Sequence, residues 1–218
     1  DYTENTAVMD EIGRLRELTF RSVGEGTGKS KDIDQFDHYY RHLLLWDDDL
    51  LEIAGAYRLG EIWRWQGQPK TQLYSQSLFD YQPSIQPLFA QGLELGRSFV
   101  QPQYWGRRSL DYLWQGIGAY LASHPQVRYL FGPVSLSNNM PKPVRDMLVH
   151  FYETHFADPD HFALPTIPYV IDADSASNLR QHMPGLDFDM EHEWLRSQLG
   201  FIGLKIPTLF KQYADVCT

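Results

Sequence analysis

The run Leu93-Glu94-Leu95-Gly96-Arg97-Ser98-Phe99-Val100, continued by Gln101-Pro102-Gln103-Tyr104-Trp105-Gly106-Arg107-Arg108-Ser109-Leu110, constrains this chain more than any other stretch. An apolar strand passes through a basic glycine turn straight into an amphipathic helix, with Leu110, Leu113, Trp114, Ile117, Tyr120 and Leu121 at helical spacing and Pro125 closing it. Strand and helix must each bury an apolar face, so the segment needs a sheet to sit in and a helical layer beside it. The strand is expected to place Glu94 and, three residues on, Arg97 at the edge of that sheet. The turn can offer backbone N–H groups and the guanidinium groups of Arg107 and Arg108 to a phosphate.

Around this segment the pattern predicts a mixed sheet. Val8, Ile12, Leu15 and Leu18/Thr19 mark a first amphipathic helix ending near Phe20. The glycine-rich loop from Ser22 to Lys31 lacks the phosphate-loop spacing, because Val23 stands where that motif needs a glycine, and a mobile lid is the expected use. His42 to Trp46, the acidic turn Asp47-Asp48-Asp49 and Leu51 to Leu59 read as an antiparallel hairpin. Glu61 to Gln72 is loop-like, its tryptophans Trp63 and Trp65 available to an acyl pocket, a membrane surface or ordinary packing. Tyr74 to Asp80 is expected to be extended and Pro83 to Phe89 a helical turn. After the central helix come an apolar strand, Val127 to Gly132, and a helix from Pro141 to about His155, capped by Ser137-Asn138-Asn139. The proline-rich stretch Ala157 to Gly185 reads as a long excursion with one strand at Tyr169 to Ile171; helices over Met190 to Leu199 and Ile206 to Val216 close the chain. The fold class is α/β (α+β), a mixed, largely antiparallel sheet flanked by helices in a single domain over 1–218.

Composition excludes several functions. A net charge of −9 argues against nucleic acid, which needs a basic face to displace counterions. The single cysteine, Cys217, rules out an internal disulfide and a thiolate metal cluster and fits a reducing cytoplasm. His38 and His42 are four apart but lack a third ligand, so no metal site is expected. No apolar run approaches the ~20 residues that span a bilayer. The abrupt start at Asp1-Tyr2-Thr3 suggests a piece of a longer chain.

Polar residues at element ends form a set: Arg16 and Phe20, Asp34 and Asp37, Arg58, then Glu94 with Arg97. Arg-x-x-x-Phe, Asp-x-x-Asp, a strand arginine and Glu-x-x-Arg, in this order, resemble the acyl-homoserine-lactone synthases. Asp-Gln-Phe-Asp-x-x-x-x-His-Leu-Leu, Gly-x-Tyr-Arg-Leu, Tyr-Ser-x-x-x-Phe-Asp and Leu-Glu-Leu-Gly-Arg-Ser-x-Val-x-Pro-x-Tyr look more like their relatives, the bacterial N-acyltransferases that make lyso-ornithine lipid and N-acyl amino acids, some of them labelled hemolysin-like. The match runs from Arg16 to Gly132, with Ile206 to Tyr213 resembling the late helix of that family.

This resemblance implies a GNAT-type fold and transfer of a long acyl chain, plain or 3-hydroxylated, from the phosphopantetheine thioester of acyl carrier protein, or from coenzyme A, to the amine of an amino acid such as ornithine or glycine. Neither donor would be a tightly bound cofactor. It further implies an amino acid substrate, an O-acyltransferase partner or fused domain, and peripheral contact with the inner membrane. Glu94 is the candidate base, directly or through a water, or else an ion-pair partner of Arg97 or Arg58. Asp34 and Asp37 would bind the acceptor's ammonium or fasten the lid; Arg97 and Arg58 would hold its carboxylate or order the acids. Gln103, Gly106, Arg107 and Arg108 would meet the phosphopantetheine or its carrier, together with Lys142 and Arg145. Two departures matter. Arg108 stands where the family's phosphate loop wants a small residue, which disfavours ordinary coenzyme A. The tryptophan expected near Gly26 is missing, which disfavours a sulfonium acceptor. The family also usually continues past its last helix, whereas this chain stops at Thr218. An acetyl-CoA-dependent acetyltransferase and a non-catalytic lipid-binding protein are the competing readings.

Overall fold

The computed structural model describes residues 5–65 and 71–216 and divides into two compact units, one holding residues up to Pro133 plus Phe162–Thr166, the other Val134–His161 with Ile167 onward. In the first unit, helix α1 (Thr6–Ser22) precedes the hairpin of β1 (Arg41–Asp47) and β2 (Glu52–Glu61). A single helical turn, α2 (Ile62–Trp65), then β3 (Phe79–Tyr81), the turn α3 (Gln86–Phe89), the central strand β4 (Gly92–Val100), helix α4 (Ser109–Ser123) and β5 (Tyr129–Phe131) follow. The main sheet has the order β1-β2-β4-β5, antiparallel except for the parallel pair β4/β5. This is the mixed, largely antiparallel sheet flanked by helices that the pattern predicts.

β2 is buried from Ile53 to Glu61, as expected of an inner strand covered on both faces. On one face α1 packs Met9, Ile12 and Leu15 against Ile53, Ala56 and Phe99. The buried stripe of α1 is turned one residue from the apolar reading, leaving Val8 and Leu18 exposed, because its centre includes Arg16, a charge that hydrophobic periodicity does not count. A second cluster gathers Phe36, Tyr40, Trp65, Leu73, Ile85 and Phe89. Trp65 is therefore a core residue, its ring 4.8 Å from that of Tyr40. Of the expected loop Glu61 to Gln72, Glu61 ends β2, Ile62 to Trp65 form the helical turn, and Gly67 and Pro69 lie outside the described residues.

The strand β4 is internal, between β2 and β5, and not at the sheet edge. It carries a bulge. Ala56 pairs with Phe99 and Arg58 with Gly96, so Arg97 and Ser98 together stand opposite Tyr57, and Arg97 adopts φ 47. Residues three apart on a regular strand face opposite sides of the sheet. The extra residue turns Arg97 back to the face of Glu94 and Arg58, as bulges do when they re-aim a side chain. β5 pairs with β4 only from Gly92 to Glu94. Past that point the two strands have no register.

Other expectations are corrected. Tyr74–Ser77 is a 3-10 turn, and the extended piece is β3, paired with β6 (Ala163–Pro165). That pairing, made by residues from opposite ends of the unit, is invisible to local pattern. Tyr169 to Ile171 forms no strand. The loop from Ser22 to Lys31 is fastened: buried Glu17 accepts Thr27 N–H at 2.9 Å, Thr27 Oγ1–H at 2.6 Å, Gly28 N–H at 3.0 Å and Arg21 Nη2–H at 2.7 Å. These bonds hold the Glu17 carboxyl down to about 2, the Thr27 hydroxyl contributing most.

In the second unit α5 (Lys142–His155), α6 (Ala173–His182), α7 (Phe188–Phe201) and α8 (Thr208–Val216) supply the helices, the first three enclosing Leu148, Phe151, Leu179, Met183, Leu195 and Leu199. α6 lies inside the stretch expected to be an irregular excursion, and Asp172 caps it by accepting Ser175 N–H at 2.9 Å. By contrast the N-cap of α5 is Pro141, with no side-chain bond, and Asn138 accepts from Arg145 instead. Among the described residues no helix is long and apolar enough to cross a membrane.

Candidate active site

The capping box of the 3-10 turn Gln35–His38 places two carboxylates beside the sheet. Asp34 accepts Phe36 N–H at 2.9 Å, and Asp37 accepts Asp34 N–H at 2.9 Å. Asp37, fully buried, also takes a bidentate grip from Arg16, at 2.9 and 2.7 Å, and one bond from Arg58 at 3.3 Å. Arg58 donates to Asp34 at 2.7 Å. Burial would raise the Asp37 carboxyl, but the Arg16 and Arg58 charges and the Asp34 amide outweigh it and hold it at about 2. Arg16 reaches further, to the carbonyl of Asp32.

Arg97 joins this cluster by a looser contact. Its guanidinium lies 3.5 Å from Asp32 and 3.7 Å from Asp34, and the rings of Tyr74 and Phe20 sit 5.2 and 5.9 Å from it. Arg58 is covered by Phe36, Tyr40 and Tyr74 at 5.0–5.5 Å. The structure thus brings Arg16, Phe20, Asp34, Asp37, Arg58 and Arg97 together, and adds Asp32, which the sequence reading did not single out. Nothing local distinguished Asp32 from the other acids of its charged loop. It is positioned because α1 carries Gly13 where the loop crosses: a Cβ there would come within 2.5 Å of Ile33.

Glu94 is held separately. Its carboxylate pairs with neither arginine among the described residues. It accepts Ser75 N–H at 2.7 Å, Tyr74 N–H at 3.2 Å and the hydroxyl of Tyr40, which itself accepts Tyr74 N–H at 2.8 Å. Tyr40 can lie here because its register neighbourhood is empty: Gly60 stands opposite Glu94, and a Cβ on it would come 2.8 Å from the Tyr40 ring. Burial, with the adjacent Glu94 charge, pushes the Tyr40 phenol far above its usual range. Tyr40 also escaped the sequence reading, since a tyrosine in an apolar run signals packing first. His42, expected to be unligated, rests 3.5 Å from Asp37; burial, helped by Arg16 and Arg58, lowers it to about 4 and keeps it neutral at pH 7.

The turn after β4 is built apart from this cluster. Gly106 has φ +74 with nothing around its Cβ direction. Gln103, a candidate phosphate contact, donates to Glu52, and Tyr104 donates to Asp47 at 2.7 Å and contacts Glu52 at 2.8 Å, stitching the turn to the β1/β2 hairpin. Arg107 and Arg108 are exposed, over the rings of Tyr104 and Tyr112, with Asp111 3.5 Å from Arg108. Lys142 and Arg145 belong to the second unit, where Lys142 bonds Asp146 and Asp172 and Arg145 bonds Asn138. No group of metal-ligating side chains occurs among the described residues.

Comparison with known proteins adds an independent view. The family model described as an acetyltransferase (GNAT) domain matches residues 15–115, which run from the second half of α1 through the whole of β4 and into α4. The chain is 35% identical over 222 residues to the glycine N(alpha)-acyltransferase of Bacteroides thetaiotaomicron, covering 96% of this chain and 66% of that protein. It is 33% identical over 229 residues to the glycine N(alpha)-acyltransferase of Phocaeicola vulgatus, covering 99% and 70%. Similarity to the L-ornithine N(alpha)-acyltransferase of Brucella abortus is 33% over 150 residues, 60% of this chain and 50% of that protein. The chain therefore spans about two thirds of the length of the first two relatives. No solved structure gives a significant match.

Proposed function

Because this chain belongs to the GNAT-domain family of amino acid N-acyltransferases, we propose that it moves a long acyl chain from the thioester of an acyl carrier protein to the amine of an amino acid such as glycine or ornithine. In the reaction the acceptor ammonium gives up a proton, its nitrogen attacks the thioester carbonyl, the C–N bond forms, the C–S bond breaks and the thiol leaves with a proton. The product is an N-acyl amino acid, a precursor for a membrane aminolipid, which an O-acyltransferase would extend at the inner face of the membrane.

The observation that carries this reading is the open space on β4 between the two charged groups. A Cβ at Gly96 would meet nothing within 4 Å, and Gly96 lies between Glu94 and Arg97 on a strand whose pairing with β5 has ended. An extended arm rich in amide groups, such as phosphopantetheine, suits an unpaired strand flank. Glu94 is the proton acceptor. Its three donors leave little room for direct attack on the ammonium, so the proton passes through Tyr40, whose hydroxyl gives its own proton to Glu94 as it accepts one. Arg16, Asp37 and Arg58 form the fixed frame beside it. Exposed Arg107 and Arg108, beside the N-terminus of α4, meet the acidic carrier protein, which offsets the repulsion expected from a chain of net charge −9.

The test is thiol release and product mass with long-chain acyl carrier protein, long-chain acyl-CoA and acetyl-CoA as donors. Acylated glycine or ornithine from the carrier-protein donor is expected. Transfer from acetyl-CoA alone would replace this reading by a conventional acetyltransferase. Charge reversal of Arg107 and Arg108 is expected to weaken carrier-protein use while leaving the circular dichroism spectrum unchanged; undiminished use of the carrier-protein donor would remove these residues from the docking surface.

A further inference from the structure

The main sheet ends in two unlike edges. β5 is three residues long, whereas β1 presents seven, Arg41–Asp47, on its free side. Among the described residues no hydrogen bond joins the outer side of β1 to another segment. Edge strands are ordinarily kept from pairing by brevity, a lysine, a proline or a bulge. β1 has none of these. It reads Arg-His-Leu-Leu-Leu-Trp-Asp, and the irregularity of the hairpin belongs to the inner strand: Leu45 faces Gly55 and Trp46 faces Ile53, so the extra residue is Ala54 of β2. The outer side of β1 is therefore an unbroken row of N–H and C=O groups.

Its side chains alternate between the two faces of the sheet. Arg41, Leu43, Leu45 and Asp47 share the α4 face, where a Cβ on Gly116 would come 3.2 Å from Leu43 and Tyr104 donates to Asp47. His42, Leu44 and Trp46 share the other. There α1 covers Ile53, Ala56 and Phe99 on the inner strands, while Leu44 and Trp46 are left 37% and 49% exposed.

The strand is complementary to itself. Laid antiparallel beside a second copy about a twofold axis, it must oppose residues of the same face, so a one-residue slip is excluded. The register centred on Leu44 alone matches all seven residues: Arg41 faces the partner's Asp47, His42 the partner's Trp46, Leu43 the partner's Leu45, and Leu44 the partner's Leu44. Slips of two residues shorten the ladder and part the charges. Arg41 is half exposed and, among the described residues, bonds Glu61 only through its Nε, at 3.3 Å, which leaves its terminal nitrogens for a second carboxylate.

We propose that β1 is a dimerisation edge, through which two copies of this chain pair about a twofold axis at Leu44 and join their four-stranded sheets into one. Leu44 and Trp46 of both copies then close over one another on the face that α1 leaves bare. His42 lies on this strand 3.5 Å from Asp37, so the pairing also braces the backbone beside the buried charges.

Sedimentation velocity on the full chain, from ~1 to ~100 µM, should show the monomer giving way to a species of twice its mass. A chain that stays monomeric throughout overturns the proposal. Because Leu44 meets its own copy across the axis, Leu44→Lys and Leu44→Glu should each raise the dissociation constant at least ~10-fold, through lost apolar contact and like charges directly opposed. An equimolar mixture of the two variants should recover the dimer, since the opposed charges then attract. A dimer that either variant leaves intact, or that mixing does not restore, would place the contact elsewhere. Hydrogen exchange on the unaltered chain decides the matter even where the variants do not fold. The outward amides of Arg41–Asp47 should exchange at least ~10-fold more slowly at the high concentration than at the low one, and exchange independent of concentration overturns the pairing.

Discussion

Asp37→Asn tests the frame on which the site stands. The substitution keeps the shape and one acceptor oxygen, so the Asp34 amide can still be satisfied, but it removes the charge that Arg16 grips at 2.9 and 2.7 Å and Arg58 meets at 3.3 Å. A carboxyl held at about 2 against its ordinary 3.8 contributes about 2 kcal/mol near neutrality. Leaving Arg16 and Arg58, each 1% exposed, with an uncompensated charge raises the cost toward the 3–5 kcal/mol typical of a broken buried pair, so about 4 kcal/mol is expected. At ~2–4 °C per kcal/mol for a chain of this size, the thermal midpoint should fall by about 10 °C. Differential scanning calorimetry and urea denaturation at pH 7 read this directly. Adding Arg16→Met should recover part of the loss, because the pair is then removed instead of halved. A midpoint within about 2 °C of the wild type would refute the reasoning, since the cluster would then be solvated and worth as little as a surface pair.

Protonation of His42 gives a second handle. Its folded value, about 4, lies below its ordinary 6.5, so its contribution is complete above pH 6.5 and is lost as pH falls through 4; roughly 3 kcal/mol should disappear over that window, and His42→Gln should flatten the urea midpoint there. Glu94→Gln and Tyr40→Phe should each lower kcat by ~100-fold or more with near-native circular dichroism. A Tyr40→Phe enzyme within about twofold of wild type would remove the relay. Two glycines of the same sheet face should behave oppositely. Gly60→Ala meets Tyr40, Glu94 and Trp65 within 3.1 Å and should cost ~1–3 kcal/mol in urea denaturation, whereas Gly96→Ala meets nothing and should stay within ~0.5 kcal/mol. Gly96→Val should nonetheless reduce activity by filling the open flank, and full activity would place the acyl donor elsewhere.

Much of the first unit was legible in its residues. Two apolar runs on either side of an acidic turn gave the hairpin around Asp47 to Asp49, and the helical spacing from Leu110 to Leu121 gave α4 within two residues. The second unit was less so. α6 contains Asp174, Ser175, Ser177 and Asn178, residues that favour turns, and it is held by one buried leucine, Leu179, and an aspartate cap. Tyr169 to Ile171 has β-prone side chains but no partner strand, and propensity without a neighbour makes no ladder.

By itself the sequence determined the order of α1, the β1/β2 hairpin, β4, α4, β5 and α5, the basic turn that carries Arg107 and Arg108 into α4, and the residue set Arg16, Asp34, Asp37, Arg58, Glu94 and Arg97. Those depend on periodicities and motifs within short stretches. Only the tertiary structure decided how the set divides. The bulge at Arg97 and Ser98 turns Arg97 to the face of Glu94, yet Glu94 is satisfied by Tyr40 and the amides of Tyr74 and Ser75, so the two neighbours of one motif serve different clusters. A bulge is fixed by pairing with a distant strand, and a buried charge chooses its partner by distance and desolvation. Neither quantity exists along the chain until it has folded.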